Sequence, residues 1–379
     1  MLSNTLKSNP RALLVIDSLE VGGAESFLYN LINEMKESYN FKIITLKNLG
    51  EIGEKLKEEG YQVECVNISS ISNLFKGLIA LKHSIHSFNP DIVHTWMYFS
   101  NFFGGIIASM LGIKKIIWSI HAFNLSKGML KQRTRFLIKV SILLAKIIPS
   151  KIIYCSEASL NIHEEIGFPS KKSILINNGI NLDPFMHGPR NKNPLIKLKI
   201  PVDRITITLV ARYDVQKNHL GFIEALGHLK QEYNSFSALF IGKGCDKSNH
   251  ELVNKIERES VINNVFLLGQ RSDISDILAN TDIFVMPSLG EAFPISLCEA
   301  MASAVPCIAT NVGDVEYILG NNKYILDSWD AKNFSKLILE MCIISQESRK
   351  KIGLKLQKRV EEKFSIKKIA ELYDKQYCS

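Results

Sequence analysis

The stretch ALLVIDSLEVGGAESFLYNLINEMKE, residues 12–37, contains an apolar run, a loop with two adjacent glycines and a segment of helical period, in that order. Residues 12–16 predict a buried strand, and residues 24–37 predict an amphipathic helix. Strands that alternate with helices in this manner form parallel sheets covered by helices. The stretch therefore predicts the opening unit of a doubly wound α/β domain.

The same alternation continues along the chain. In the first half we predict helices near 72–88, 100–111, 128–147 and 157–166, and strands at 41–46, 61–68, 91–95, 115–120, 151–156 and 173–177. Residues 178–203 carry four prolines and no clean period, as in a connection between domains. The alternation then restarts, with strands predicted at 205–211, 237–242, 265–269, 282–287, 306–310 and 323–326 and a helical tail after them.

A chain of 379 residues is too long for one ordinary hydrophobic core. We predict an α/β protein of two Rossmann-like doubly wound domains facing a central cleft. The N-terminal domain is expected at 1–185, a linker at 186–203 and the C-terminal domain at 204–379, with the last helix packing back on the N-terminal domain. Ligands are expected at the carboxyl ends of the strands.

Composition excludes several classes of protein. With 46% hydrophobic and 22% charged residues the sequence is that of an ordinary globular protein. The longest apolar stretch, residues 102–113, is shorter than the roughly 20 residues of a spanning helix, and the start of the chain lacks a signal-peptide core. Seven cysteines without a C-x-x-C pair indicate reduced thiols and no zinc site. We therefore expect a cytoplasmic protein.

The formal charge of +8 is concentrated in the first half, where residues 1–190 contain 21 Lys or Arg and 15 Asp or Glu. No acidic residue lies between Asp91 and Glu157. Within that segment Lys131, Arg135 and Lys139 are spaced by four and share one face of a predicted helix. A basic amphipathic helix is typical of contact with an anionic membrane, and a merely solvated basic face is the alternative. The segment contains no recognisable nucleic-acid-binding module, so we expect no nucleic acid partner.

Two glutamates in the segment PSLGEAFPISLCEAM, residues 287–301, are candidate ligand-binding groups. A strand ends at Pro287, a loop contains Glu291, and a helix predicted to start at Pro294 contains Glu299. Backbone N–H groups near Phe293 and Ile295 are expected to face an anion at this helix start.

A basic pair precedes the glutamates in the chain. The predicted strand 205–211 is followed directly by Arg212, and Lys217 comes five residues later. A guanidinium and an ammonium at a strand end suit a diphosphate. The sequence contains no Asp-x-Asp, so nothing in it resembles a Mg²⁺ bridge to phosphates, and we expect neither a metal nor a cofactor.

The motifs VARYDVQKNH (210–219), IGKG (241–244), LLGQRSDISDIL (267–278), PSLGEAFPISLCEAM (287–301) and VPCIATNVGD (305–314) together resemble the retaining glycosyltransferases of family 4, which have the GT-B architecture. The resemblance implies that Arg212 and Lys217 hold the donor diphosphate, that Glu299 binds the ribose and that Glu291 lies beside the donor sugar. Ala211 departs from the family pattern, which usually has Gly before the Arg.

The resemblance also assigns roles in the first half. It implies that Gly22 and Gly23 of the loop VGGAES approach the donor phosphate, and that His121, which follows a predicted strand, contacts the donor sugar as a catalytic residue with Glu291. We expect acceptor contacts from three side chains at the end of another strand: His94, Trp96 and Tyr98.

The implied function is transfer of a sugar from a nucleotide-sugar co-substrate, with UDP favoured over GDP, to a lipid-linked or lipopolysaccharide glycan. This places the protein in bacterial cell-surface polysaccharide biosynthesis, peripherally bound at the inner face of the cytoplasmic membrane. Two alternatives remain open at this point: a nucleotide-sugar 2-epimerase with the same architecture, and a catalytically silent partner of another transferase.

Overall fold

A computed structural model describes residues 9–68, 71–121, 132–186, 193–320 and 323–379. Its contacts divide the chain into a first unit, Met1–Gly179 with Ile366–Ser379, and a second unit, Ile180–Ser365. The division falls at residues 179 and 180, a few residues before the end we predicted for the N-terminal domain.

Seven strands of the first unit form one parallel sheet in the order β3-β2-β1-β4-β5-β6-β7. They are β1 (Arg11–Ser18), β2 (Asn40–Asn48), β3 (Gln62–Cys65), β4 (Ile92–Trp96), β5 (Ile116–Ile120), β6 (Lys151–Tyr154) and β7 (Ser173–Leu175). The helices of this part of the chain are α1 (Gly23–Met35), α2 (Gly50–Glu58), α3 (Ile71–Phe88), α4 (Tyr98–Met110), α5 (Gln132–Ala145) and α6 (Glu157–Glu165).

The second unit contains a six-stranded parallel sheet in the order β10-β9-β8-β11-β12-β13. Its strands are β8 (Ile205–Val210), β9 (Phe236–Ile241), β10 (Val265–Gly269), β11 (Ile283–Met286), β12 (Cys307–Thr310) and β13 (Ile325–Leu326). Its helices are α7 (Asp183–Met186), α8 (Pro194–Lys197), α9 (His219–Glu232), α10 (His250–Arg258), α11 (Ile274–Leu278), α12 (Ile295–Ala302), α13 (Val315–Leu319), α14 (Ala331–Ile343) and α15 (Gln346–Phe364).

The last helix, α16 (Ile366–Cys378), belongs to the first unit, where it packs against α1. Tyr39 donates a hydrogen bond from its hydroxyl to Asp374 (2.7 Å), and the Lys115 ammonium donates to the Tyr377 carbonyl (2.7 Å). The Tyr373 and Tyr377 side chains are buried in this contact. The first unit is therefore built from two pieces of chain.

The predicted fold class, α/β with two Rossmann-like parallel sheets, is confirmed. Each of the thirteen predicted strands corresponds to an observed strand, with ends that differ by a few residues. Helix α2 was not predicted, because GEIGEKLKE contains two glycines and few apolar residues. Its buried face consists of Gly53 and Leu56 only, which leaves almost no periodic signal.

The segment we predicted as a linker, 186–203, includes the short helix α8. Leu195 and Ile200 from this segment are buried against Leu239 and Ile241 of β9 and against Ile277. Part of the proline-rich connection therefore packs on the second sheet.

Each sheet has a point at which the strand order reverses, β1 beside β4 in the first and β8 beside β11 in the second. Loops that leave neighbouring strands there in opposite directions open a crevice at the carboxyl ends, where doubly wound proteins bind ligands. The loops after β8 and β11 contain Arg212, Lys217 and Glu291, so the topology brings these residues to one place.

Candidate active site

The loop after β8 carries the two basic residues predicted to bind a diphosphate. It contains one 3-10 turn, Val215–Lys217, which Asp214 caps by accepting a hydrogen bond from the Gln216 backbone N–H (2.9 Å). The Arg212 side chain is 65% exposed and lies 3.5 Å from the Asp214 carboxylate. Exposure and a long contact leave this guanidinium available to a ligand.

The loops after β8 and β11 are joined by hydrogen bonds, although they lie about 70 residues apart in sequence. Three contacts connect them: Lys217 Nζ to Glu291 Oε1 at 2.5 Å, the Leu289 N–H to the Gln216 carbonyl at 2.7 Å, and Asn218 Nδ2 to the Pro287 carbonyl at 3.1 Å. The structure thus brings together the predicted diphosphate-binding lysine and the glutamate predicted to lie beside the donor sugar.

The Glu291 carboxylate is held from two sides. Its side chain is 9% exposed, and Oε1 accepts hydrogen bonds from Lys217 and from the Ser288 hydroxyl (2.7 Å). A charged pair this far from water is sensitive to loss of either partner, because the remaining charge would be buried without compensation. Neither Asn218 nor Ser288 was singled out by the sequence analysis.

Helix α12 begins at Ile295, one residue later than predicted, because Pro294 is the extended N-cap residue (φ −76°, ψ 104°). Pro294 offers no side-chain hydrogen bond to the first turn. The N–H groups at this helix start suit an anion. The Phe293 ring is buried against Phe364 (5.4 Å between centroids). The anion contact predicted near Phe293 can therefore involve only its backbone N–H.

Glu299 lies in the second turn of α12 and is partly buried. Burial disfavours the charged carboxylate and raises the pKa of Glu299 to about 7. A carboxyl group whose protonation changes near neutral pH is a candidate ligand-binding group. The structure is compatible with the predicted ribose contact, which stays a prediction.

Two glycines allow close backbone contacts around this site. Gly313 has φ +57°, and a Cβ added there would lie 2.1 Å from the Glu291 carbonyl oxygen. Gly242 has φ +146°, and its Cβ would lie 2.2 Å from the Ala211 carbonyl oxygen. A side chain at either position would displace the loop that carries Glu291 or the one that carries Arg212.

We expect Gly313→Ala to lower the free energy of unfolding by about 2–3 kcal/mol and to reduce transfer activity, because both the positive φ and the clash with the Glu291 carbonyl are unfavourable. Gly112→Ala is the matched control. Gly112 also has a left-handed φ (+77°) but has open space around its Cβ direction. Chemical denaturation and an activity assay of both variants separate backbone strain from displacement of Glu291; equal losses in the two variants would contradict this prediction.

Ala211, the departure from the family pattern, has an ordinary negative φ. Its carbonyl oxygen contacts His219 Nε2 (3.3 Å) and accepts from the Cys245 thiol (3.4 Å). Alanine therefore adopts this turn without strain, and the departure leaves the position of Arg212 intact.

In the first unit, Gly22 is the N-cap of α1 and Gly23 is its first residue. Gly22 is extended (φ −160°) and has no side chain with which to cap the helix. The Glu25 carboxylate of the first turn lies beside it, where a Cβ on Gly22 would clash with Glu25 Oε2. A donor phosphate at this position would therefore have to displace or avoid this carboxylate. The role itself stays a prediction.

The three predicted acceptor contacts are buried side chains. His94 is fully buried, with Nδ1 at 2.7 Å from the Tyr377 hydroxyl and Nε2 at 2.7 Å from the Ser119 hydroxyl. Trp96 is fully buried, and the Tyr98 hydroxyl contacts His163 Nε2 (2.5 Å). Their partners lie within the first unit, so the structure argues against direct acceptor contact and indicates packing roles.

His121 follows β5 directly, as predicted, and its ring stacks on Trp96 with 4.7 Å between centroids and 10° between planes. Burial lowers the pKa of His121 to about 3, against a weaker opposing effect of the nearby Asn178 side chain. The imidazole is therefore neutral at physiological pH. Both ring nitrogens are buried and make no regular hydrogen bond to a described residue.

The predicted basic helix corresponds to α5. Lys131 lies outside the described residues, Arg135 is half-buried and Lys139 is exposed. Phe136 and Leu143 of this helix are 66% and 63% exposed, so α5 presents apolar as well as basic side chains to solvent.

Met97, at the start of α4, has a backbone conformation that sequence analysis could not anticipate. It has φ 75° and ψ 165°, a region that glycine adopts far more readily. Directly after β4, its N–H donates to the carbonyl of Ser119 in the neighbouring strand β5 (2.9 Å). Nothing in a methionine signals this conformation.

Among the described residues, no three His, Cys, Asp or Glu side chains are grouped as metal ligands would be. Nor does any helix in those ranges have the length and apolar character needed to cross a bilayer.

The second switch point combines a lysine paired with a glutamate, an exposed arginine on the same loop as the lysine, and a helix start without a side-chain cap. These groups are chemically suited to a nucleoside diphosphate. Two doubly wound parallel sheets in one chain are the architecture of the GT-B glycosyltransferases. Comparison with known families agrees: glycosyl transferases group 1 matches residues 193–359, and glycosyltransferase family 4 matches residues 21–184. The chain belongs to the family 4 type of GT-B glycosyltransferases.

Named relatives are bacterial glycosyltransferases. The UDP-Gal:alpha-D-GlcNAc-diphosphoundecaprenol alpha-1,3-galactosyltransferase of Escherichia coli is 27% identical over 322 residues, which cover 82% of this chain and 81% of that protein. The N,N'-diacetylbacillosaminyl-diphospho-undecaprenol alpha-1,3-N-acetylgalactosaminyltransferase of Campylobacter jejuni is 27% identical over 324 residues, 80% and 82% of the two chains. The epimerase alternative has no support in these comparisons.

A solved structure shows the same fold. Anabaena HepE, in complex with UDP and glucose, superimposes with a TM-score of 0.85 at 20% identity and covers 97% of this chain and 99% of its own.

Proposed function

We propose that this glycosyltransferase moves a sugar from a UDP-sugar to a glycan carried on a polyprenyl diphosphate, with retention of configuration. The observation that carries the proposal is the set of hydrogen bonds joining the Lys217 and Glu291 loops at the second switch point. The names of the Escherichia coli and Campylobacter relatives supply the acceptor class, since both specify a diphosphoundecaprenol substrate. The name of the Escherichia coli relative specifies UDP-Gal as the donor, and HepE was solved in complex with UDP and glucose, which supports UDP as the nucleotide.

The proposed chemistry is one displacement at the anomeric carbon. The bond from this carbon to the diphosphate breaks, a bond to the acceptor oxygen forms on the same face, and the acceptor proton passes to the departing diphosphate oxygen. Both relatives are named for alpha-linked products, which is the outcome of retention when the donor sugar is alpha-linked. Glu291 acts as a binding group for the sugar and not as a covalent nucleophile.

Stabilisation of the leaving group is assigned to fixed positive charge. Arg212, Lys217 and the N–H groups at the start of α12 compensate the charge that develops on the departing UDP. Glu299 accepts hydrogen bonds from the ribose hydroxyls. We propose that transfer needs no added metal ion, so activity in excess EDTA should equal activity with Mg²⁺.

The test is an assay of the purified protein with UDP-galactose, UDP-glucose and their N-acetylamino forms, using GlcNAc-diphosphoundecaprenol as acceptor. We expect UDP release that depends on acceptor, and an alpha anomeric signal in the NMR spectrum of the product. A beta product would contradict retention. Binding of UDP in a thermal-shift experiment, without transfer to this acceptor or to a lipopolysaccharide acceptor, would contradict the acceptor class.

We also propose that the first unit binds peripherally to an anionic membrane, where a lipid-linked acceptor resides. Helix α4 contacts both α3 and α5, and these three helices expose large apolar side chains: Phe75, Ile79, Met110, Phe136, Leu143 and, just after α5, Ile147. Exposed lysines accompany them: Lys76, Lys82, Lys114, Lys139 and Lys146. Asp91 is the only acidic residue between Cys65 and Ser156. Apolar contact and charge complementarity therefore act together.

Replacement of Lys139 and Lys146 by Gln should lower partition onto vesicles containing phosphatidylglycerol by about thirtyfold, since a Lys near an anionic surface contributes about 1 kcal/mol. Phe136→Ser should weaken binding as well. Ile262→Ser is the matched control, because Ile262 is similarly exposed (60%, against 66% for Phe136) but belongs to the second unit. Sedimentation with vesicles measures partition; unchanged binding of the lysine variant, or equal binding to neutral vesicles, would contradict the membrane assignment.

A further inference from the structure

Three aromatic rings of the first unit lie parallel to one another. The His121 ring is 4.7 Å from the Trp96 ring with 10° between planes, and Trp96 is 6.3 Å from Tyr373 with 9° between planes. His121 follows β5, Trp96 ends β4, and Tyr373 comes from α16, about 250 residues further along the chain. The three rings form a stack that runs from the carboxyl end of the sheet into the last helix.

Trp96 is held by its other neighbours. Its side chain is fully buried, with Phe27 of α1 5.8 Å away and His94 5.0 Å away between ring centroids. His94 is itself fixed by hydrogen bonds to Tyr377 of α16 and to Ser119. A closely packed interior keeps such rings in single orientations. The indole plane is therefore set by the fold and not by a ligand.

His121 takes its orientation from this indole. Stacking on a fixed ring restricts rotation of the imidazole, and aromatic pairs are stabilised beyond the area they bury. The Asn178 side chain is also near the imidazole, but neither ring nitrogen makes a regular hydrogen bond to it or to any other described residue. A reacting group must be held in a narrow range of positions for efficient transfer, because small misplacements lower the rate strongly.

We propose that Trp96 is a positioning residue that fixes the imidazole of His121 for catalysis, and that Tyr373 of the C-terminal helix supports Trp96 from behind. The proposal rests on the proposed function and on the catalytic role of His121 that the family resemblance implies. It gives α16 a part in catalysis, although this helix contains no predicted site residue. It also accounts for the burial of His94 and Trp96, which were predicted to contact the acceptor.

The first unit offers a matched control in Trp118 of β5. Trp118 is also fully buried, lies within the strand next to β4 and, like Trp96, leaves its indole nitrogen without a partner among the described residues. It packs against Gly105 of α4 and belongs to the core beneath α3, α4 and α5. Substitution of either tryptophan removes a buried indole, whereas only Trp96 stacks on His121.

The kinetic experiment compares Trp96→Leu, Trp96→Phe and Trp118→Leu with the wild type. We expect Trp96→Leu to lower kcat by tenfold or more while the KM for the donor stays within twofold, and Trp96→Phe to recover most of the rate because a ring remains. Trp118→Leu should lower Tm comparably and leave kcat nearly unchanged. Equal effects of the two leucine variants on kcat would overturn the positioning role.

A second measurement does not depend on turnover. Side-chain NMR of the wild type, with His121 signals assigned from a His121→Gln variant, should show an imidazole that stays neutral well below pH 6 and whose ring protons are shifted by the indole. In Trp96→Leu these shifts should disappear and the pKa of His121 should rise towards its ordinary value. The titratable group recorded as acting on His121 is His94, and the uncharged Asn178 side chain is also near its ring. Tyr373→Leu should change the signals in the same direction but less.

The two measurements separate the possible failures. Unaltered His121 signals in Trp96→Leu would overturn the stack as the determinant of its orientation. Altered signals with unaltered kcat would overturn the link to catalysis. A wild type that binds UDP but transfers no sugar would instead contradict the proposed function, while the NMR result would still test the stack.

Discussion

Replacing Lys217 with Ala should lower kcat/KM for sugar transfer by about a hundredfold to a thousandfold. This is the usual effect of removing one preorganised donor that compensates charge in a transition state. Lys217 is placed for this role by the short turn Val215–Lys217 and by its contact with Glu291. Lys217→Arg should retain part of the activity, because the positive charge remains while its geometry changes.

Lys255→Ala is the control for this prediction. Lys255 belongs to the same unit, is as exposed as Lys217 (24% against 22%) and also pairs with carboxylates, those of Glu224 and Glu259. We expect it to leave kcat/KM unchanged. Because Lys217→Ala leaves Glu291 without its cation, Tm is measured in parallel, and the double variant Lys217→Ala with Glu291→Gln should recover stability but not activity.

Arg212→Ala tests the same diphosphate site without this complication. Its side chain is mostly exposed and loosely paired, so Tm should not change. We expect weaker binding of UDP in calorimetry. Normal UDP affinity and normal turnover in both Arg212→Ala and Lys217→Ala would contradict the assignment of the donor diphosphate to this loop.

Affinity for UDP should fall as the pH is lowered below about 7, by up to about tenfold per pH unit, because Glu299 must be ionised to accept hydrogen bonds from the ribose hydroxyls. Burial raises the pKa of Glu299 to about 7, so this carboxyl takes up a proton just below neutral pH in the free protein. Glu299→Gln should bind UDP more weakly at pH 8 and show a much flatter dependence on pH.

The Glu299 carboxyl also makes the stability of the fold depend on pH, but stability decreases with rising pH whereas affinity for UDP increases. Its pKa rises from an ordinary value of 4.5 in the unfolded chain to about 7 in the folded protein, so between these values the folded state binds more protons. Stability therefore falls as the pH rises from 4.5 to 7, by at most about 3 kcal/mol. Glu299→Gln should be more stable than the wild type at pH 8 and similar to it near pH 4.5.

Denaturant titrations at these two pH values check the stability difference, with calorimetry for UDP. Glu340→Gln is the control, because Glu340 forms an exposed pair with Lys323 and should leave both pH dependences as in the wild type. A Glu299→Gln variant that bound UDP with wild-type affinity at pH 8 would exclude the ribose contact.

The architecture could be predicted because strands of a parallel sheet are buried on both faces and are therefore continuous apolar runs in the sequence. The central strands have this local signal, whereas the edge strands β3 and β7 contain no fully buried residue and were predicted from shorter apolar stretches. The positions of the basic pair and the two glutamates, at strand ends and on a helix, also follow from nearby residues. Helix α2 escaped prediction because its glycines remove the periodic pattern.

The contacts that make a site out of these residues come from long-range packing. Lys217 meets Glu291, 74 residues away, only because β8 and β11 are adjacent in the sheet. Position 313 must likewise be glycine because the Glu291 carbonyl oxygen occupies the space that a Cβ would need. Residue types alone do not specify which loops become neighbours.

Burial likewise was decided by the tertiary structure. The sequence alone determined that this chain has two doubly wound sheets and carries Arg212, Lys217, Glu291 and Glu299 at positions suited to a nucleotide sugar. Only the folded chain turned His94 and Trp96 inward, raised the pKa of Glu299 and packed α16 against α1 and Trp96. Strand identity is encoded over a few neighbouring residues, whereas solvent exclusion depends on segments that are distant in the chain.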